Sequence, residues 1–577
     1  MTAGGWLQLG LLLLVLTLFT PLLGGYIERV FGGDRVLLAR ALGPLERALI
    51  RSVAGRDPEG QDWTQYALST VIFSAVCFVA LYLILRTQSI QPLNPQGFRA
   101  PPWDLAFNTA ASFVSNTSWQ FYGGETTLSI FSQMAGITVH SFLSGAVGLA
   151  VAIAVVRGFA NRSGKELGNF WVDLIRGLLY VLVPLAVVGS LFLIAEGSIQ
   201  TLAGSARFST LAGGHQMLAL GPVASQKAIN VLSSDGGGYY AVNSAMPFED
   251  PTGLTNFVEA LMTVLVPAAL TATYGRMVGN RRQGWALYGV MAVMLLGAMA
   301  VAYPAESHPS PAMRAAGVHG VNMEGKEQRF QAPGSALMAV TGTASGDGTT
   351  SAALDSFTGL GGSIPTADMM TGEVIFGGVG SGLFGMLLMV LLAVFIAGLM
   401  VGRTPEYLGK SIEAREIKLV TLGAIVVPLI VLFLTAWAIS TRYGLRSIFN
   451  AGPQGFSETL YAYTSQANNN GSAFAGYAGF IQPHPPGNAG SSGIAFADLL
   501  GGGAMLFGRF VPLLLTLAVA GSLSGKRTIV SGEGTMRTDT VVFALLLIAT
   551  ISIVALLTFV PALMLGPLVQ ALSGRLF

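Results

Sequence analysis

Cysteine, histidine and charged residues are all scarce in this sequence. Asp, Glu, Lys and Arg make up 10% of the 577 residues, whereas soluble domains carry roughly 25%. Cys77 is the single cysteine, so the chain holds neither an internal disulfide nor a thiolate metal cluster. The histidines lack metal-ligand spacing and lie at His140, His215, His308, His319 and His484. The net charge of +2 carries no information about nucleic acid, but the sequence has no basic tail, and we expect no nucleic-acid partner.

Apolar residues are abundant instead. They form 52% of the chain, and the mean hydropathy is +0.62. About 20 consecutive apolar residues are needed to cross a hydrocarbon core of ~30 Å. Ten such runs occur, at 5–24, 64–86, 132–157, 171–195, 253–274, 283–303, 372–402, 417–440, 497–525 and 540–565. We therefore predict an all-α polytopic membrane protein in which residues 1–577 form a single integral membrane domain.

Long connections recur with a regular period along the chain. Four long links, at 87–131, 196–252, 304–371 and 441–496, each follow every second apolar run. Such a period predicts internal repeats. We predict ten transmembrane helices that include four pseudo-symmetric helix–pore loop–helix repeats around one pore. The predicted units are a leading helix at 5–24, repeats at 64–157, 171–274, 283–402 and 417–525, and a trailing helix at 540–565.

The distribution of Lys and Arg predicts the orientation in the membrane. The links after the first, third, fifth, seventh and ninth runs together hold nineteen basic residues, whereas the opposite side carries about ten in much longer segments. These basic links are predicted to be cytoplasmic, which places both termini outside the cytoplasm. The link at 25–63 has a Leu/Arg pattern that is typical of an amphipathic helix at the membrane surface.

Each long link contains a short, partly apolar stretch followed by small polar residues. The apolar stretches are 104–114, 224–232, 335–344 and 457–467, and each is too short to span. A short helix that dips inward points the partly negative end of its dipole at the centre. Glycines after it free the backbone, so that carbonyl oxygens can replace the hydration shell of a cation, as in potassium filters. The predicted ion contacts are Asn116, Thr117, Ser234, Asp235, Gly236, Gly346, Asp347, Gly348, Asn468, Asn469 and Gly471.

Some further polar residues are candidates for an ion pathway. Ionisable side chains at membrane depth are costly and usually face a cavity or each other. Glu373 and Arg509 either line such a cavity or pair with each other. Arg403 is either an anchor at the inner face or a cation in the ion pathway. Gln120 follows the first filter segment and is a further candidate for the ion pathway or its gating.

Several stretches resemble a known family, the potassium-binding A subunit of the bacterial Kdp potassium-transporting ATPase. One is Gly402-Arg403-Thr404-Pro405-Glu406-Tyr407-Leu408-Gly409-Lys410, and another is Asn468-Asn469-Asn470-Gly471-Ser472-Ala473-Phe474-Ala475-Gly476. Further matching stretches lie at 116–120, 124–136, 221–226, 322–327 and 372–382. Together they extend over nearly the whole chain. The resemblance implies the fold of the superfamily of potassium transporters.

The resemblance also implies a division of labour among subunits. In this family the A subunit selects potassium from outside, and a separate P-type ATPase subunit hydrolyses ATP. A C subunit and a small single-helix F subunit complete the complex in the bacterial inner membrane. This chain has neither an Asp-Lys-Thr-Gly phosphorylation motif nor a Gly-x-x-x-x-Gly-Lys-Ser/Thr phosphate loop. We therefore expect no ATP hydrolysis by this chain alone, and no bound cofactor besides the transported potassium ion.

Asp235 and Asp347 depart from the family pattern. Relatives place Asn and Cys at these positions. The two carboxylates either add charge to the ion site or stand behind it and accept hydrogen bonds from filter amides. We favour the second interpretation, because a charged ring tends to reduce selectivity for monovalent ions.

Other functions are compatible with part of this pattern. A stand-alone potassium channel or a cation symporter would use the same four-repeat pore. An organic-solute permease would instead have a roomy cavity at the midplane, formed by broken helices.

Overall fold

The computed structural model describes residues 3–34, 36–161, 164–402, 404–479, 496–528 and 536–573. Within these ranges, ten helices are long and apolar enough to cross a membrane. In chain order these spanning helices are Ala3–Gly32, Trp63–Arg86, Ser132–Ala160, Phe170–Ala195, Gly253–Met277, Arg281–Glu306, Ser381–Val401, Ala414–Ser440, Phe496–Ser524 and Val541–Leu565. The prediction of an all-helical membrane protein with ten spans is confirmed.

Shorter elements occupy the connections. The helices are Ala39–Ala54, Trp103–Val114, Gly124–Thr127, Val223–Ser233, Pro311–Ala315, Gln331–Ala344, Gly359–Met370, Arg442–Leu445, Gly452–Asn468 and Pro567–Leu572, with 3-10 turns at Gln88–Ile90, Asn243–Ala245 and Leu354–Ser356. Two small antiparallel hairpins pair Ala206–Ser209 with His215–Leu218 and Glu406–Tyr407 with Lys410–Ser411. The third and fourth spanning helices include π-helical stretches, Ser132–Thr138 and Gly177–Leu182.

The first spanning helix is longer than predicted. We placed its end at residue 24, where two glycines follow one another, but the helix continues to Gly32. A Cβ at Gly24 would collide with the backbone oxygen of Ala269 in the fifth spanning helix. The glycine therefore permits close helix packing and does not end the helix.

The seventh spanning helix is shorter than predicted. We placed its start at residue 372, but the helix begins at Ser381. Residues 372–380 have an irregular backbone, with left-handed conformations at Gly372, Glu373 and Phe376 (φ 84°, 52° and 49°). The segment is apolar enough to look like part of a span, yet its glycines let the chain turn tightly. One of them, Gly378, donates its N–H to the carbonyl of Ser345.

A helix also forms in the predicted amphipathic link. Ala39–Ala54 packs against the fourth spanning helix through Glu46, which accepts a hydrogen bond of 2.9 Å from Nε of Arg176. Leu45 and Leu49 on this helix are exposed. Its location at a membrane surface stays a prediction.

Candidate ion-binding site

Four short helices bring their carboxyl ends to the centre of the protein. These pore helices are Trp103–Val114, Val223–Ser233, Gln331–Ala344 and Gly452–Asn468. Each lies between two spanning helices, close to the stretch predicted from the sequence. Loops one to four follow them and comprise residues 115–120, 234–238, 345–349 and 469–472. Because the last carbonyls of a helix carry partial negative charge, four such ends create a region that favours a cation.

The same turn follows each pore helix. One residue adopts the left-handed conformation, and the N–H of the next residue donates to a carbonyl five residues earlier, as in a Schellman motif. The left-handed residues are Asn116, Ser234, Gly346 and Asn469, with φ of 61°, 48°, 69° and 66°. The donors that follow are Thr117, Asp235, Asp347 and Asn470, at 2.9, 3.0, 3.2 and 2.9 Å from their acceptors. This shared turn places the four loops in a common register.

Loops one, two and three contact one another in sequence order. Nδ2 of Asn116 in loop one donates to the carbonyl of Ser234 in loop two. The N–H of Gly236 in loop two donates to the carbonyl of Asp347 in loop three at 2.6 Å. Loop one therefore contacts loop two through a side chain, and loop two contacts loop three through its backbone.

Loop four completes the ring. Nδ2 of Asn470 donates to the carbonyl of Gly342, in the third pore helix, at 3.0 Å. Nδ2 of Asn469 donates to Oγ1 of Thr117 in loop one at 2.9 Å. The four loops therefore enclose a single axis, as predicted.

Small size is required at the third position of the shared turn. In loops two, three and four this position is Gly236, Gly348 and Gly471. A Cβ on each would collide with the backbone oxygen of the following loop, namely that of Asp347, Asn470 and Thr117 respectively. Loop one carries Ser118 here, with φ of 56° and its hydroxyl bound to the carbonyl of Thr117 at 2.6 Å. The ring is thus fourfold in its turns but not in its side chains.

Several loop carbonyls remain available to a ligand. Within the described ranges, the carbonyls of Asn116, Gly346 and Asn469 accept no hydrogen bond. All three stand at the same position of the shared turn. Unpaired carbonyl oxygens at a common level are suited to replacing the hydration shell of an alkali cation.

The carboxylates of Asp235 and Asp347 contact protein groups. Oδ2 of Asp235 accepts a hydrogen bond of 3.3 Å from Oγ of Ser144, in the third spanning helix. Oδ1 of Asp347 accepts one of 2.9 Å from the N–H of Thr349 in its own loop. Both side chains are fully buried. These contacts agree with the interpretation that the carboxylates support the loops, which stays a prediction.

The predicted ion contacts do not all occupy equivalent positions in the structure. Asn468 ends the fourth pore helix and donates to the carbonyl of Thr464 at 2.9 Å, so it precedes the shared turn. Asn470 takes the position equivalent to Thr117, although we did not include it among the ion contacts. Ser118 was missed as well. An alignment of the residues that follow the four short apolar stretches would have revealed both. Arg403 lies outside the described residues.

The pathway candidate Gln120 contacts loop two. Nε2 of Gln120 donates to the carbonyl of Gly238 at 3.3 Å, and its Oε1 accepts from the N–H of that glycine at 3.2 Å. This amide therefore joins loops one and two beyond the shared turn.

A cavity of about 120 Å³ adjoins loop four. Its wall includes Asn468, Asn469, Glu373 and Arg509, together with apolar residues of the seventh to tenth spanning helices. Glu373 is 5% and Arg509 is 7% exposed. Among the described residues, Glu373 and Arg509 therefore line the same cavity, but they form no ion pair with each other.

A multi-pass helical membrane protein with four re-entrant loops closed around one axis belongs to the class of potassium-transporter folds. Accordingly, the crystal structure of the potassium transporter TrkH from Vibrio parahaemolyticus is similar over 87% of this chain and 96% of the other, with a TM-score of 0.51. At 13% identity, this likeness shows the fold alone.

Closer relatives define the family. The family model described as "Potassium-transporting ATPase A subunit" matches residues 10–572. Similar proteins, named potassium-transporting ATPase potassium-binding subunit, occur in Granulibacter bethesdensis (50% identical, covering 99% of each chain) and in Rhodospirillum centenum (51% identical, covering 100% of this chain and 99% of the relative). The chain belongs to the potassium-transporting ATPase A subunit family.

Proposed function

We propose that this chain is the potassium-selecting subunit of an ATP-driven, high-affinity potassium uptake pump. The observation that carries the proposal is the closed ring of four loops, with equivalent unpaired carbonyls at Asn116, Gly346 and Asn469. Rings of backbone carbonyls recognise potassium by taking the place of its water shell. The names of the family and of its curated relatives support the choice of potassium as the ion.

The partners follow from the same family membership. A separate P-type ATPase subunit hydrolyses ATP, and a C subunit and a single-helix F subunit complete the complex. This chain supplies ion selection and the entry path. The complex resides in the bacterial inner membrane, surrounded by lipid, with both termini of this chain outside the cytoplasm.

The ion leaves the ring toward the ATPase subunit. The cavity beside loop four offers a route, because it adjoins Asn469 on one side and the spanning helices on the other. Glu373 and Arg509 set the electrostatic potential along it. Arg403, which follows the seventh spanning helix in the sequence, is proposed to oppose straight passage to the cytoplasm.

The decisive experiment is to purify the complex from its native membrane and identify its subunits. ATP hydrolysis is then measured against potassium concentration. We expect a copurified large subunit whose ATPase activity saturates with potassium. Potassium flux through the isolated chain in liposomes, driven by the gradient alone, would instead indicate a stand-alone channel and overturn the proposal.

A further inference from the structure

Lys227 is a buried lysine in the second pore helix, directly behind loops two and three. Its side chain is 0% exposed. An ammonium group removed from water is stable only when it is paired. Two carboxylates supply the pairing: Nζ lies 3.3 Å from Oε1 of Glu249 and 3.8 Å from Oε2 of Glu259, and both partners are equally buried.

The ammonium also reaches both neighbouring loops. Nζ donates to the carbonyl of Gly237 in loop two at 3.4 Å and to Oγ1 of Thr349 in loop three at 3.5 Å. A single cation therefore bridges the two loops. The backbone bond from Gly236 to Asp347 crosses the same border.

The other three borders of the ring use a different group. Asparagine amides cross them: Asn116 between loops one and two, Asn470 between the third pore helix and loop four, and Asn469 between loops four and one. In the described part of the chain, the side chain that bridges loops two and three is that of Lys227. The lysine thus takes the place of an amide in the ring.

The carboxylates that hold the ammonium are themselves fixed. Oε2 of Glu259, in the fifth spanning helix, accepts a hydrogen bond of 2.6 Å from Oγ of Ser244. Oε2 of Glu249 accepts one of 3.4 Å from the N–H of Tyr240, just beyond loop two. The bridge is therefore anchored to a spanning helix, and a change in it will be felt at the loops.

We propose that Lys227 is a positioning residue that sets the ion affinity and selectivity of the ring by clamping loop two to loop three. This inference rests on the proposed function of the loops as a potassium filter. Lys227 acts through the loop backbone and does not contact the ion.

The test compares Lys227→Met with Lys326→Met in the whole complex. Lys326 is a matched control, because its side chain is also 0% exposed and pairs with Glu306 at 2.7 Å. The other described contacts of its ammonium group, with the carbonyl of Glu324 and the ring of Phe357, involve none of the four loops. The measurements are the potassium concentration for half-maximal ATPase stimulation, the same value for rubidium, and the maximal rate. We expect Lys227→Met to raise the potassium value at least about tenfold, the change that 1.4 kcal/mol produces, and to change the ratio between the two ions. Lys326→Met should leave both unchanged.

A third variant separates clamping from charge balance. Lys227→Met combined with Glu249→Gln and Glu259→Gln removes the ammonium together with the charges of its two ion-pair partners, so it remains informative if the single variant fails to fold. A persistent loss of affinity in this variant supports the clamp. Wild-type affinity and ion ratio in it, or in Lys227→Met, would overturn the inference. If the wild-type complex lacked potassium stimulation altogether, the proposed function itself would fail.

Discussion

Replacing Gly348 by alanine tests whether the third position of the shared turn controls the ion site. Gly348 has φ of +79°, and a Cβ there would overlap with the carbonyl oxygen of Asn470 in loop four. Alanine in this conformation costs about 1–2 kcal/mol. The collision adds the cost of overpacking, about 1–3 kcal/mol. The second cost is relieved only if the carbonyl of Asn470 moves.

Gly317→Ala is a matched control for the cost of placing alanine in the left-handed conformation. Gly317 lies in the same long link, has φ of +87°, and has open space where a Cβ would go. Both variants should therefore lose similar stability from the backbone strain. We expect the collision to destabilise the ion-bound ring relative to the ion-free ring. Gly348→Ala should then weaken potassium affinity by roughly 5- to 150-fold, since each 1.4 kcal/mol is a factor of ten.

The assay is potassium-stimulated ATP hydrolysis by the purified complex, together with the thermal midpoint of each variant. Uptake of potassium by cells that lack other potassium transporters gives a second readout. Equal potassium affinity in Gly348→Ala, Gly317→Ala and the wild type would refute the argument, because it would mean that displacing the Asn470 carbonyl leaves the ion site unchanged.

The remaining predictions concern side chains around the ring and the cavity. Asp235→Asn should change the discrimination between potassium and rubidium less than about twofold, since its carboxylate is expected to support the loop from behind; a tenfold loss of discrimination would place it against the ion. Arg509→Gln should lower the maximal transport rate several-fold and leave the potassium concentration for half-maximal stimulation nearly unchanged, measured in the same ATPase and uptake assays. Lys326→Met should lower stability by about 3–5 kcal/mol in denaturation experiments, because it removes the cation that pairs with the buried Glu306, and adding Glu306→Gln should restore much of the loss.

The short helices were predictable because composition alone reveals them. Each is an apolar stretch too short to span, followed by small polar residues, and the helices form at these places. The tight turns after them were also visible, in Gly348 and Gly471. The contacts that close the ring were harder to predict from the sequence, because they join residues such as Asn469 and Thr117, which are 352 positions apart.

The predicted start of the seventh spanning helix was wrong, because an apolar composition does not determine the conformation of the backbone. Residues 372–380 have the apolarity of a membrane span, yet they form an irregular segment that brings Gly378 against Ser345. Hydropathy measures the polarity of the residues and does not register that glycines allow the backbone to turn tightly. Lys227 was equally visible as a cation inside an apolar stretch, but its role depends on Glu249 and Glu259, whose proximity no spacing in the sequence indicates.

The four turns carry different side chains, and this difference affects how such a ring can evolve. In a channel built from four identical chains, every substitution appears four times, and its energetic effect is multiplied accordingly. Here Ser118 stands alone where the other turns carry Gly236, Gly348 and Gly471. One mutation therefore alters one quarter of the ring, and the ion preference that we propose for the ring can change in smaller steps than in a symmetric assembly.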